Sequence, residues 1–172
     1  MKKFLLLTMC LLMVSSAALA DHIGVYSDGS ASSCNLGNIA GQFSPTATVI
    51  HKFATGATTS DFNITFPPGT AFFGFNSPYI PVPVVQPTGG ISLGYGQCRT
   101  GNIVLGSINA IYAIGTAQIV HSDSFANILY TDCSFASHSA TGGTAYVGTT
   151  GNCNEPLPVE PSTWGSVKAL YR

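Results

Sequence analysis

The stretch Asp61-Phe62-Asn63-Ile64-Thr65-Phe66 decides the fold class of this chain. Its apolar residues alternate strictly with polar ones. Because successive side chains of a β-strand point to opposite faces, this alternation predicts a strand with one buried face. Away from the two ends of the chain, no window places apolar residues at helical spacing for more than two turns. The pattern therefore predicts an all-β protein.

Short runs of β-branched and aromatic residues recur on both sides of this stretch, separated by turn dipeptides such as Pro68-Gly69 and Gly142-Gly143. They predict further strands over residues 22–27, 46–54, 70–75, 80–85, 90–95, 102–113, 116–122, 127–131 and 144–149. So many short strands in about 150 residues are typical of an antiparallel β-sandwich. An immunoglobulin-like or jelly-roll-like sandwich is expected.

Two details of these strands can be tested against a structure. Lys52 alternates with apolar neighbours in the strand predicted over residues 46–54, so its side chain is expected to face water. Pro81 and Pro83 cannot donate hydrogen bonds to a neighbouring strand. Residues 78–87 are therefore predicted to form an edge strand or a polyproline-like crossing.

The first twenty residues have the three parts of a secretory signal. Lys2 and Lys3 supply positive charge, an apolar run follows, and Ala18 and Ala20 are small residues at the −3 and −1 positions of a cleavage site. We therefore predict that residues 1–20 are a signal peptide. The mature protein is expected to be secreted, periplasmic or at the cell surface, without an integral membrane segment.

The charge of the predicted mature chain limits the classes of ligand that the protein could bind. Residues 21–172 carry four cationic and seven anionic side chains, a net charge of −3. Such a chain has no basic patch for nucleic acid or for anionic lipid. Its scattered acid–base groups favour a non-enzymatic binding or surface-structural module over an enzyme. A protein or glycan partner is expected, and self-association through sheet edges, as in a self-assembling surface polymer, is an alternative.

Four cysteines remain after the predicted signal: Cys34, Cys98, Cys133 and Cys153. An even number in an exported chain predicts two disulfides, and three pairings are open. We favour Cys34–Cys98 with Cys133–Cys153, because the second bond closes a short loop rich in Gly and Ser. The cysteines lack the C-x-x-C spacing of a zinc site.

A second hypothesis, from a different class of function, is a small secreted serine hydrolase. Gly90-Ile91-Ser92-Leu93-Gly94 matches the G-x-S-x-G pattern of such enzymes, and Asp132 and His138 follow Ser92 in the corresponding chain order. However, no helical pattern follows Gly94, as the hydrolase fold requires. Ser92 is therefore expected to be an ordinary residue of a glycine-flanked strand.

Other candidate sites are weaker. The four histidines lack metal-ligand spacing and no dedicated calcium loop is present, so no metal or cofactor is expected. Phe72, Phe73, Phe75 and Tyr79 form an aromatic cluster that suits either a sugar platform or a core. Alternation would bury Phe73 and Phe75 on one face, which favours core packing.

The C-terminal residues differ from the rest. Three prolines in residues 154–161 predict a stiff linker, which leaves residues 21–153 for the sandwich domain. Residues 162–172 are predicted to form a short amphipathic helix. Because so short a helix is marginal alone, its apolar face is expected to dock on a partner or to serve in sorting, or to pack on the sandwich. That face consists of Trp164, Val167, Leu170 and Tyr171.

Three segments resemble a group of uncharacterised secreted bacterial β-sandwich-like proteins. They are His22-Ile23-Gly24-Val25-Tyr26 with the following Ser33-Cys34-Asn35, Ser92-Leu93-Gly94-Tyr95-Gly96-Gln97-Cys98, and the tail Ser162-Thr163-Trp164-Gly165-Ser166-Val167-Lys168-Ala169-Leu170-Tyr171. The resemblance implies a secreted protein whose tail is a portable element. It implies no activity, substrate or catalytic residue.

Overall fold

A computed structural model describes residues 21–37, 41, 43–44, 47–81, 90–121 and 127–153. The predicted signal peptide, the linker over residues 154–161 and the helix over residues 162–172 lie outside these residues. The docking face predicted for Trp164, Val167, Leu170 and Tyr171 therefore stays a prediction.

The described residues form ten strands and no helix, which confirms the all-β prediction. Accordingly, this part of the chain has no helix long and apolar enough to cross a membrane. The strands are β1 (His22–Tyr26), β2 (Phe43–Ser44), β3 (Thr48–Thr65), β4 (Ala71–Asn76), β5 (Ile80–Pro81), β6 (Ile91–Ile111), β7 (Gly115–Val120), β8 (Ile128–Asp132), β9 (Ser137–Gly142) and β10 (Thr144–Val147).

Two long strands organise the sheet. β3 and β6 pair antiparallel along most of their length, and each joins two segments that the sequence predicts as separate strands. The small and polar residues between those segments resemble turns in sequence. In the structure, irregularities in the β3–β6 register accommodate them without ending either strand.

The remaining strands attach to this pair. The main path runs β1-β9-β8-β3-β6-β2, while β4 and β5 pair with β6, and β7 pairs with β3 and β10. β1 and β9 run parallel, so the sheet is mixed, and the expectation of purely antiparallel pairing is wrong. β2 and β9 were not predicted. The sequence of β9, Ser-His-Ser-Ala-Thr-Gly, has too few apolar residues for an alternating pattern.

The stretch over residues 61–66 behaves largely as predicted. Phe62 and Ile64 are buried in the main core, and Phe66 packs partly buried against it. The polar residues of the stretch are more exposed than Phe62 and Ile64. This alternation is the local origin of the buried face of β3.

The prediction for Lys52 is wrong, because its side chain is buried. The ammonium donates a hydrogen bond to the Ala31 carbonyl oxygen at 3.3 Å and lies 5.3 Å from the centroid of the Tyr26 ring. Phe53, the next residue, has a left-handed backbone with φ of 62°, and the register shifts between His51 and Ala54. This irregularity breaks the regular alternation on which the prediction depended.

Two disulfides join the four cysteines, as predicted, but the favoured pairing is wrong. Cys34 bonds to Cys153, and Cys98 bonds to Cys133. The first bond links the segment after β1 to the segment after β10, 119 residues apart in sequence. The prediction assumed that bonded cysteines would close a short loop. It failed because strand pairing brings remote segments of the chain together.

Candidate functional site

A buried chain of hydrogen bonds runs through the middle of the sheet. The His51 Nε2–H donates to Asp21 Oδ1 at 2.8 Å, and the Ser60 hydroxyl lies 3.1 Å from His51 Nδ1. The Tyr95 hydroxyl contacts Ser60 Oγ in turn. His51 and Ser60 are fully buried, and Asp21 is 7% exposed. We call these four residues the buried network.

The strands position each member of this network. Asp21 directly precedes β1, and its carbonyl oxygen accepts a hydrogen bond from the Thr141 amide at 3.0 Å. His51 and Ser60 lie on β3, on either side of its irregular segment, and Tyr95 lies on β6. The network therefore ties together three strands that are remote in sequence.

Tyr130, on β8, connects this network to the surface. Burial and a hydrogen bond to Asp21 raise the pKa of the Tyr130 hydroxyl to about 12. Its ring meets the His51 ring edge to face at 5.3 Å, and it stacks on the His138 ring at the same centroid distance. His138 Nε2 lies 2.8 Å from Asp132 Oδ2, and these two residues are 44% and 26% exposed. We call His138 and Asp132 the surface pair.

Ser60, His51 and Asp21 have the residue types of a serine-hydrolase triad, linked by hydrogen bonds in that order. In such a triad the serine hydroxyl must reach a substrate carbonyl. Here the Ser60 side chain is fully buried and also contacts the Tyr95 hydroxyl. Buried polar groups with complete hydrogen bonding hold neighbouring strands in one arrangement. The geometry of the buried network fits this structural role, in which hydrogen bonds hold neighbouring strands in place.

The triad predicted from sequence is only partly assembled. Asp132 and His138 form the surface pair, but two strands, β3 and β8, separate Ser92 from His138. The strand spacing puts that separation at about 14 Å. The Ser92 side chain instead bonds to Asp61, its partner across β3 and β6. Burial raises the pKa of the Asp61 carboxyl, an effect that Ser92 partly opposes.

Metal chemistry finds no support in the described part of the chain. No three His, Cys, Asp or Glu side chains there are grouped so that they could hold an ion. The four cysteines in the described part are all in disulfides. Asp28 accepts hydrogen bonds from Ser30 and Ser32, which lower the pKa of its carboxyl, as in an ordinary Asx-type turn.

The aromatic cluster of β4 is more exposed than expected. Phe73 is 62% exposed, and the prediction that it is buried is wrong. A register shift between Phe72 and Gly74 interrupts the expected alternation, and beyond it Phe75 packs partly buried against the core, on the side predicted for it. Phe72 stacks on Phe66 with ring centroids 5.2 Å apart, beside an apolar cleft of about 310 Å³.

Two clefts lie beside β6 and share the walls formed by Arg99 and Tyr79. Each has a volume of about 320 Å³. The Arg99 guanidinium lies 5.2 Å above the Tyr79 ring, and that ring packs against Tyr95 of the buried network at 4.9 Å. The Arg99 Nε is buried and has no hydrogen-bond partner among the described residues. Together these clefts form what we call the Arg99 groove.

In comparisons with known proteins, no family model, no curated protein and no solved structure matches this chain. Sequence reasoning missed both the buried network and the Arg99 groove. Neither has a motif, because Asp21, His51, Ser60 and Tyr95 lie far apart in the sequence. Arg99 is a single cation in a run of polar residues, so the groove becomes visible only once the strands are paired.

Proposed function

We propose that this protein is a secreted, non-enzymatic β-sandwich module that binds another molecule through its surface. One observation carries the non-enzymatic part. The described serine that bonds to a histidine–aspartate pair, Ser60, is fully buried, whereas no serine hydroxyl among the described residues bonds to the exposed pair, Asp132 with His138. A nucleophile and its base must both reach the substrate.

The sandwich is supported by the pairing of β3. This strand pairs with β1 and β8 over residues 48–61 and then with β7 over residues 63–65. Strands that change partners along their length make the corners between the layers of sandwiches. β7 and β10 would then contribute to the second layer.

Secretion is supported by the two disulfides, which persist in oxidising compartments and are rare in the cytosol. The predicted signal peptide points the same way. The first residue after the predicted cleavage site is Asp21, and its carboxylate belongs to the buried network. Cleavage of the predicted signal would therefore make a member of the buried network the first residue of the mature protein.

A serine-reactive fluorophosphonate probe tests the non-enzymatic assignment. We expect no labelling of the purified mature protein, because the Ser60 hydroxyl is inaccessible and Ser92 is bonded to Asp61. Ser92→Ala and Ser60→Ala serve as matched controls. Stoichiometric labelling that disappears in either variant would establish a serine enzyme and refute the proposal.

A further inference from the structure

The Arg99 groove lies where β6 departs from its neighbours. Asn76 of β4 pairs with Ser107, and Ile80 of β5 pairs with Gly94. Three residues therefore connect β4 to β5, opposite twelve residues of β6. Over residues 95–106, the described strands pair with β6 only from the β3 side. The described strands leave this edge of β6 unpaired, although its Leu105 carbonyl oxygen accepts a hydrogen bond from the Ser77 hydroxyl at 2.6 Å.

One of the two clefts follows this edge. Its lining includes Thr100, Asn102, Ile103 and Val104, residues that point to both faces of the strand. A ligand on one face of a sheet would contact alternate residues only, because side chains alternate. Buried Ile103 and its exposed neighbours Asn102 and Val104 line this cleft together, so the cleft follows the backbone edge, whose amide and carbonyl groups can pair with a ligand. Edges of this kind accept an added strand.

The charge of the edge defines the ligand further. The described part of the chain has two Lys or Arg side chains, the buried Lys52 and Arg99. Among the described residues, no carboxylate lies within 4.0 Å of the Arg99 guanidinium. Tyr79 holds this guanidinium from one side. A fixed guanidinium without a counter-ion matches a carboxylate, which it pairs with in a planar, bidentate geometry.

The net charge of residues 21–172, −3, selects among carboxylate ligands. A polyanionic saccharide would meet a single accessible cation among the described residues in a field that repels it, whereas a peptide with a single acidic residue would be repelled far less. A peptide also matches the repeat of a strand edge. We propose that the open edge of β6 binds an extended peptide strand of another protein, and that one acidic side chain of this strand pairs with Arg99. This inference rests on the proposed binding function and names its partner.

The test begins with a displayed library of random twelve-residue peptides, selected on the immobilised mature protein. We expect enriched peptides rich in β-branched residues, with one Asp or Glu at a constant position. Synthetic peptides from this set should bind Arg99→Gln at least about tenfold more weakly than the unaltered protein. Gln118→Ala, an exposed change on β7, is the matched control and should bind normally. Equal melting temperatures would establish that both variants are folded.

A double-variant cycle assigns the contact. Replacing the acidic residue of the peptide by its amide should weaken binding to the unaltered protein, and should change nothing further in Arg99→Gln. Backbone pairing should slow amide hydrogen exchange over residues 99–104, and N-methylation of alternate peptide amides should abolish binding.

Several results would overturn the inference. They are a library without enriched or acidic peptides, undiminished binding to Arg99→Gln, displacement of the peptide by polygalacturonate with Arg99-dependent affinity, or light scattering that shows an Arg99-dependent dimer of this chain. None of them labels a serine, so the non-enzymatic assignment would survive each. Fluorophosphonate labelling would refute that assignment but would not test peptide binding at the Arg99 groove.

Discussion

The molecule contains two histidine–aspartate pairs with the same geometry in opposite surroundings. His51 and Asp21 in the buried network, and His138 and Asp132 in the surface pair, both have Nε2–Oδ distances of 2.8 Å. Tyr130 contacts both imidazole rings. The first pair is nearly solvent-free and the second is open to water. Burial, and not distance, should therefore determine what each pair contributes.

The largest effect is expected from His51→Ala. This change removes the ring that bonds both the Asp21 carboxylate and the Ser60 hydroxyl, which then keep only their contacts with Tyr130 and Tyr95, and it should lower the free energy of unfolding by about 3 kcal/mol. Urea unfolding of the mature protein with intact disulfides measures it. His138→Ala removes the equivalent ring from the surface pair and should have a much smaller effect, because water replaces the lost contact. Equal losses in the two variants would show that burial does not separate the pairs.

A smaller loss is expected from Ser60→Ala. The Tyr95 hydroxyl lies 3.4 Å from His51 Nδ1 and can partly replace the serine, so the loss should be about 1 kcal/mol. The same urea titration reports it, and Ser137→Ala on the exposed strand β9 is the matched control. A loss as large as that of His51→Ala would mean that Tyr95 cannot compensate.

The smallest effect concerns the surface pair and acid. Hydrogen bonds from the Ala136 amide and from His138 lower the pKa of the Asp132 carboxyl in the folded state. A carboxyl with a lowered pKa stabilises the fold above its ordinary pKa, near 4, and loses that contribution as the pH falls below it. Asp132→Asn should therefore reduce stability at pH 7 slightly and flatten the decline in stability as the pH falls below about 4. Urea unfolding across this range measures the slope.

Asp61 is the internal control for the sign. Burial raises the pKa of its carboxyl, so its contribution is present at low pH and is lost as the pH rises through its folded-state pKa. Asp61→Asn should therefore shift the stability profile in the opposite direction from Asp132→Asn. Parallel shifts in the two variants would contradict the assigned environments.

How far the sequence predicts this molecule depends on the range of the interactions. The buried face of residues 61–66 follows from local alternation, and Phe62 and Ile64 lie where that pattern places them. Lys52 and Phe73 do not, because each lies beside a register irregularity that local patterns do not encode. The joining of paired segments into β3 and β6 is missed for a related reason: partner strands keep small, polar segments extended.

For the candidate site, the sequence grouped Asp132 and His138, which do meet, with Ser92, which instead bonds to Asp61. Ser92 has the glycine-flanked motif, whereas Ser60, which has none, is the serine that bonds to a histidine. The order of residues along the chain does not show which of them lie opposite each other on paired strands. Register decides it, by placing Ser92 beside Asp61 and Ser60 beside the Tyr130 row.

The sequence by itself determined that this is an all-β chain with two disulfides, because alternation and cysteine number are local or compositional properties. Only the tertiary structure decided which cysteines bond, which serine meets which histidine, and which residues form the groove around Arg99. These depend on contacts between residues far apart in the chain. The pairing of β3, β6 and β8 sets them, because a sheet forms its rows by hydrogen bonding between strands and not by neighbourhood in sequence.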